Sequence, residues 1–285
     1  MTRHDHLRLL VIDAYDLPSR TALDDHGVLR GGDAYRQLLQ HLAPGAHVDI
    51  AWCANADPLQ GVDALTSYHG VVWTGSSLSV YDDNPVIPRQ IDLVRATMAA
   101  NIPAFGSCYA AQIATVANGG QVQANPLGRE FGVGRKIRLT ADGQNHPLYR
   151  DKGPVFDAFT CHGDHITALP DGATVLATNA FSPIQALTIE PPTGGSFWAV
   201  QYHPEFDADY MARLSRLRAE RLITQGLFED TAQVERYASA METLQQNPSH
   251  TALSFAYGVD QDVLNPARRT QEVLNWFRHK VAQQT

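Results

Sequence analysis

Apolar residues fall along this chain in two rhythms. Through roughly the first two-thirds, short apolar runs alternate with longer stretches whose apolar residues recur every three or four positions. Residues 7–13, 48–53, 70–73 and 102–105 read as strands; the third ends in the polar turn Thr74-Gly75-Ser76-Ser77, and the fourth stops at Gly106. Residues 33–42, 88–100 and 109–118 read as helices. Ile91, Val94, Ala96 and Met98 carry the repeat in the second, and Gly119-Gly120 closes the third. Such alternation predicts a mostly parallel sheet with covering helices. From 135 to 190 the pattern changes to short strands between turns, at 136–139, 174–177 and 184–189, which predicts an antiparallel edge joined to that sheet. A last strand, 197–202, runs into His203-Pro204-Glu205.

Beyond Asp207 the pattern is helical. Tyr210, Leu214 and Leu217 share one face, as do Val234, Tyr237, Met241 and Leu244. Asn265-Pro266 suits the cap and first turn of a last helix carrying Leu274, Phe277 and Val281. The expected architecture is an α/β domain over 1–206, an open and mostly parallel sheet flanked by helices. A helical C-terminal extension, 207–285, is expected to pack on that core, because its apolar faces need a partner. No internal repeat or low-complexity segment is present.

Composition narrows the function. At 285 residues and 44% hydrophobic content the chain can bury a full core, and a formal charge of -8 argues against nucleic acid or an anionic membrane as partner. Arg213, Arg216, Arg218 and Arg221 are a local basic exception, read as a solvated helix face. No apolar run is long enough to span a membrane. The opening Met1-Thr2-Arg3-His4-Asp5-His6 lacks the pattern of a cleavable signal, and the His4/His6 pair is read as disordered and without a role. Three scattered cysteines, Cys53, Cys108 and Cys161, do not make a disulfide framework and fit a reducing cytoplasm.

One cysteine stands in a special context. In Phe105-Gly106-Ser107-Cys108-Tyr109-Ala110-Ala111-Gln112 a strand gives way to a helix through small residues, the layout of a nucleophile elbow. At a helix start, Cys108 is expected to be drawn toward thiolate by unpaired N–H groups. Trp198-Ala199-Val200-Gln201-Tyr202-His203-Pro204-Glu205 then supplies a strand-end histidine and, two residues on, a carboxylate to orient it. His162-Gly163-Asp164-His165 matches no standard zinc spacing, and no metal or other cofactor is expected.

These two segments, with Cys161-His162-Gly163-Asp164 followed by Leu169-Pro170, resemble the signatures of class I glutamine amidotransferases. The likeness covers 9–206 and is nearest to stand-alone relatives of the GMP synthetase glutaminase domain. It implies a flavodoxin-like fold, with Cys108 as nucleophile through a γ-glutamyl thioester, His203 as base and then acid, and Glu205 orienting it. It further implies an oxyanion hole at Gly75, Ser76 and Tyr109, and substrate binding by Gln112, His162 and Asp164. The Gly128-Arg129-Glu130-Phe131-Gly132 run resembles a family loop near the site, with no role assigned to its side chains.

Two positions depart from the pattern. Ala110 stands where the family usually has glycine, and Gly75-Ser76-Ser77 replaces a Gly-Gly-Pro turn, so a positive φ at Gly75 is expected to preserve the donor geometry. The first expectation for function is a glutaminase that releases ammonia to an acceptor reaction, with a synthetase or acceptor enzyme as partner. The alternative is a self-sufficient hydrolase of γ-glutamyl amides, and a non-catalytic regulatory protein ranks third. Homo-oligomerisation stays open. No pyrophosphate loop or P-loop occurs, so the chain carries no recognisable means of activating an acceptor with ATP.

Overall fold

Strands alternate with helices as the apolar pattern requires, and the computed structural model describes residues 4–55 and 57–283. The first three residues of the opening segment lie outside the described part. The strands are β1 (Arg8–Asp13), β2 (His47–Trp52), β3 (Gly70–Trp73), β4 (Ala104–Ser107), β5 (Gln121–Ala124) and β6 (Glu130–Leu139), followed by β7 (Val155–His162), β8 (Asp164–Ala168), β9 (Ala173–Thr178), β10 (Ala186–Ile189) and β11 (Phe197–Val200). The main sheet runs β2-β1-β3-β4-β11-β10-β9-β6-β7, and β5 pairs with β8 apart from it. Its first five strands are parallel and the remaining pairings antiparallel. The expected mixed sheet is therefore present, with the antiparallel strands at one edge.

Each central strand buries both sides, so its residues sort by parity. Leu10, Ile12, Val71 and Trp73 meet α3 (Val86–Ala99) and α4 (Tyr109–Ala117). Leu9, Val11, Val72 and Phe105 meet a different layer, built from Tyr35 and Leu39 of α2 (Gly31–Leu42) and from Val273 and Trp276 near the C-terminus. The C-terminal segment is thus part of the sheet's own core. At Gly70 an added Cβ would fall 2.7 Å from Val281 Cγ2 and 3.0 Å from the Trp276 ring, so only glycine permits this approach.

A third apolar cluster joins α6 (Ala208–Leu217) and α8 (Thr231–Gln246) to Phe159 and Cys161 of β7. Tyr210, Leu214, Val234, Tyr237, Met241 and Leu244 are buried as the periodicity predicts, while Leu217 is half-buried. Between these helices lies α7 (Ala219–Thr224), while α1 (Leu17–Asp25) follows β1 and α5 (Ala141–Asn145) follows β6. The packing sets the α6–α7 junction over the end of β7, beside Cys161.

Several expectations change in detail. Glycine 106 lies inside β4, pairing with Ala199, and the strand ends at Ser107. The strand expected at 136–139 begins at Glu130, and β7 was not foreseen. A bulge between Gly134 and Ile137, with Lys136 at φ 49, breaks the alternation that would have shown β6. The strand expected to reach residue 202 stops at Val200, and the His203 N–H bonds instead to the Phe159 carbonyl at 2.8 Å. The expected last helix is divided into Pro266–Arg269, Gln271–Trp276 and a π-turn at Phe277–Val281. Asn265 caps the first piece as predicted, and Phe277 and Val281 are buried as expected, but Leu274 is half-buried while Val273 and Trp276 are buried beside them. His4 is ordered against Phe277, edge to face at 5.2 Å. Among the described residues no helix is long and apolar enough to cross a membrane.

Candidate active site

Cysteine 108 sits where β4 turns into α4, with φ 55 and ψ -108. A non-glycine residue held in such a region stores about 1–3 kcal/mol of strain, sustained only when its surroundings over-determine it. Here the Cys108 N–H is tied to the Val200 carbonyl of β11 at 2.7 Å, while Ala110 and Gly106 interlock behind it. A Cβ on Gly106 would fall 2.3 Å from Ala110 Cβ and 3.1 Å from Trp73 Cβ. The alanine found at position 110 is therefore accommodated by the missing side chain at Gly106.

The second half of the site comes from the segment after β11. His203 Nδ1 lies 2.7 Å from Glu205 Oε1, and both side chains are almost wholly buried. A carboxylate only accepts, so Nδ1 carries the proton and Nε2 is left as the basic nitrogen. Two further donors hold Glu205: Ser107 Oγ at 2.8 Å on Oε1, and Tyr35 OH at 3.1 Å on Oε2. The imidazole stacks on Phe206 at 3.8 Å, which in turn stacks on Tyr210 at 3.9 Å. Sequence reasoning missed Tyr35, Ser107 and Phe206. Alternation along β4 could have flagged Ser107, whereas Tyr35 gives no signal at a separation of 170 residues.

Gly75 brings the two halves together. A Cβ there would lie 3.0 Å from His203 Cε1 and 3.6 Å from Cys108 Cβ. The expectation of a positive φ at Gly75 is corrected: it is not among the positive-φ glycines, and space beside the imidazole is what this position requires. Ser76 holds the turn by donating its hydroxyl to the Ala14 carbonyl at 3.0 Å. The Tyr109 N–H faces the thiol, and the Tyr109 hydroxyl donates to Gln90 Oε1 at 2.7 Å.

The thiol itself departs from expectation. Burial pushes Cys108 up to about 12, with Cys161 and Glu205 adding to the rise and Arg218 and the Tyr109 N–H opposing it. Its Sγ is directed to the Cys161 carbonyl at 3.8 Å. In the free protein the sulfur therefore keeps its proton, and burial outweighs the helix start. Because a raised thiol pKa leaves the thiolate fraction still climbing at high pH, carbamidomethylation of Cys108, followed by mass spectrometry, is expected to accelerate about tenfold per pH unit from 7 to 10. A plateau below pH 8 would show a preformed thiolate instead.

A cavity of about 300 Å³ opens over Cys108, walled by the Ser76–Tyr81 loop, Gln112, the Asn125–Arg129 turn, Cys161–Asp164 and the α6–α7 junction. Asp164 accepts from Ser79 Oγ at 2.6 Å and Tyr81 OH at 2.7 Å, and Gln112 Nε2 donates to Gln201 Oε1 at 3.3 Å. His162 also lines the cavity, with both ring nitrogens engaged inside the protein. Nδ1 lies 2.9 Å from the Asp164 carbonyl and Nε2 2.8 Å from Glu130 Oε2. Glu130 accepts as well from Asn179 and Gln185, which gives the Gly128–Gly132 run a role in holding the loop that carries Asp164. Arg218 and Arg221 line the cavity too, so the basic patch of the sequence is not a uniformly solvated face. Among the described residues, no three His, Cys, Asp or Glu side chains gather as a metal site.

Comparison with known proteins gives the same frame. Residues 31–213 match the family model described as glutamine amidotransferase class-I. A γ-glutamyl-L-1-hydroxyisopropylamide hydrolase from Pseudomonas sp is 30% identical over 282 residues, which is 97% of this chain and 94% of that protein. The glutamine-hydrolyzing GMP synthase of Thermomicrobium roseum is also 30% identical, over 70% of this chain, but the match spans only 34% of the synthase. Among solved structures, a glutamine amidotransferase from Thermotoga maritima superposes with a TM-score of 0.66 at 18% identity, covering 95% of this chain and 99% of that one. With the family model spanning most of the chain and a relative aligned along nearly its whole length, the protein belongs to the class I glutamine amidotransferases.

Proposed function

We propose that the protein is a self-sufficient γ-glutamyl amide hydrolase that releases a small amine, with Cys108, His203 and Glu205 as its catalytic residues. The observation that carries this reading is the alignment of the whole chain, C-terminal helices included, with a hydrolase whose name specifies a γ-glutamyl amide of an amino alcohol. The GMP synthase match spans about a third of that relative, and the ammonia-donor role first expected from the sequence gives way to this alternative. The α6–α7 junction supports it further, because it forms one wall of the cavity over Cys108. In this reading the C-terminal helices belong to the reaction chamber.

The geometry supports the following chemistry. Nε2 of His203 takes the Cys108 proton as the sulfur attacks the γ-carbonyl carbon, and Glu205 stabilises the resulting imidazolium through Nδ1. The oxyanion forms near the Tyr109 N–H and the Gly75-Ser76 backbone. The C–N bond then breaks as the imidazolium returns the proton to the leaving amine, and a γ-glutamyl thioester remains. Water, deprotonated by His203, hydrolyses that thioester to glutamate and restores the thiol. Asp164 accepts the α-ammonium of the glutamyl group, with Gln112 beside it.

Steady-state kinetics on the purified chain test the proposal. The expected kcat/KM on γ-glutamyl ethylamide exceeds that on glutamine by about tenfold, a transition-state difference of roughly 1.4 kcal/mol, with no acceleration by added protein. A preference for glutamine, or glutamine turnover that rises when a synthetase is added, would return the protein to the ammonia-donor role.

A further inference from the structure

The four arginines of the basic patch part company in the structure. Arg213 pairs with Asp209 at 2.7 Å, and Arg216 pairs with Glu235 at 2.6 Å and with Glu242. Those two serve the surface of α6 and α8. Arg218, at the end of α6, and Arg221, in α7, line the cavity over Cys108 together with Arg129 from the turn before β6. Arg218 Nη1 donates to Cys161 Sγ at 2.9 Å and its Nη2 to Ser77 Oγ at 3.4 Å. Arg129 Nη1 points at the same sulfur from 4.0 Å, and its Nε donates to Gln225 Oε1 at 2.9 Å. Among the described residues, none of the three is in an ion pair with Asp or Glu, unlike their neighbours on α6.

Three guanidiniums around one small cavity repel one another unless an anion lies between them. Arg221 registers this: burial first, then Arg129 and Arg218, hold it below the usual arginine range. A guanidinium fork matches a carboxylate in shape and charge. The same cavity holds Asp164, a single anion suited to a single ammonium. Its wall thus offers one acceptor for an ammonium group and an excess of donors for a carboxylate.

We propose that Arg218 and Arg221, with Arg129, form a carboxylate subsite supplied largely by the C-terminal helices, and that it holds a carboxylate of the substrate. This rests on the hydrolase reading above. The carboxylate has two chemical sources, the α-carboxylate of the glutamyl group or an acid group on the departing amine. Either way these arginines determine specificity by binding, and the reacting bond lies elsewhere.

The test uses the full chain as wild type, Arg218→Gln and, as a surface control, Arg216→Gln. Its substrates are γ-glutamyl ethylamide, γ-glutamylglycine and the α-amide of γ-glutamyl ethylamide. The expected result is a rise in KM of about tenfold or more in Arg218→Gln, with kcat changed less than about threefold and Arg216→Gln unaffected. If the α-carboxylate occupies the subsite, the α-amide is a poor substrate for wild type and Arg218→Gln worsens it no further. If the amine's acid group does, wild type prefers γ-glutamylglycine and the variant loses that preference alone. Equal effects on all three substrates, or none, overturn the subsite.

Thermal shifts of Cys108→Ala by L-glutamate and γ-glutamylglycine, with and without Arg218→Gln, separate the two proposals. A ligand shift that depends on Arg218, in a protein whose wild type hydrolyses no γ-glutamyl amide, keeps the subsite and removes the hydrolase reading. Intact hydrolysis with ligand shifts indifferent to Arg218 does the reverse.

Discussion

Cys108→Ala is expected to reduce γ-glutamyl amide turnover by about 10⁴-fold or more, because Cys108 is the thiol that Gly75 sets beside His203. Cys53→Ala and Cys161→Ala are expected to retain most activity. Cys53 is buried in the apolar cluster beneath α3, and Cys161 lies in the cavity wall with its sulfur against Arg218. His203→Ala should approach the same loss, since nucleophile and base act as one unit. Glu205→Gln should be milder. The amide keeps partners in Ser107 and Tyr35, so the side chain stays in place while its charge is lost. Single-turnover measurements with a γ-glutamyl anilide compare all five variants directly. Retained turnover in pure Cys108→Ala would remove the thioester mechanism, and a Glu205→Gln loss equal to that of His203→Ala would give Glu205 more than an orienting role.

The largest stability effect is expected at Glu272→Ala, far from the reacting atoms. Glu272 is fully buried in the segment Gln271–Trp276 and lies 2.6 Å from Lys152 Nζ, whose side chain is 7% exposed. Tyr202 OH donates to the same carboxylate oxygen at 2.6 Å, and Tyr149 OH lies 2.9 Å from Tyr202 OH. Removing the carboxylate leaves a buried ammonium without its counter-ion, which costs about 3–5 kcal/mol. Urea denaturation followed by tryptophan fluorescence should show a loss of that size, and Lys152→Met in the Glu272→Leu background should recover part of it by removing both charges. A loss below about 1 kcal/mol would mean the pair is effectively solvated. Activity is expected to fall as well. Tyr202 directly precedes His203, so the C-terminal segment holds the residue beside the proposed catalytic base.

Much of this was legible in the chain itself. The parallel half of the sheet follows from apolar runs at helix-spaced intervals, because a strand buried on both faces leaves an unmistakable pattern. Cys108 and the His203-Pro204-Glu205 segment stood out since the chemistry needs a strand-end turn at each, and small residues mark the first. The antiparallel edge was harder. In β6 the bulge at Lys136 and the glycines at positions 132 and 134 interrupt the period of two, so its first half was hidden and β7 with it.

What the sequence determined by itself is therefore the set of local elements and the residue types that carry chemistry, because periodicity and turn composition act over a few residues. Tertiary structure decided the rest. Burial pushes the Cys108 thiol up and overrides the local pull of the helix start. Gly75 matters for the room it leaves His203, and Tyr35 for a hydroxyl that reaches Glu205 across 170 residues. The four arginines look alike in sequence, yet two are spent on surface ion pairs and two face the cavity. Desolvation and charge pairing depend on which distant segments come together, and no local pattern encodes that.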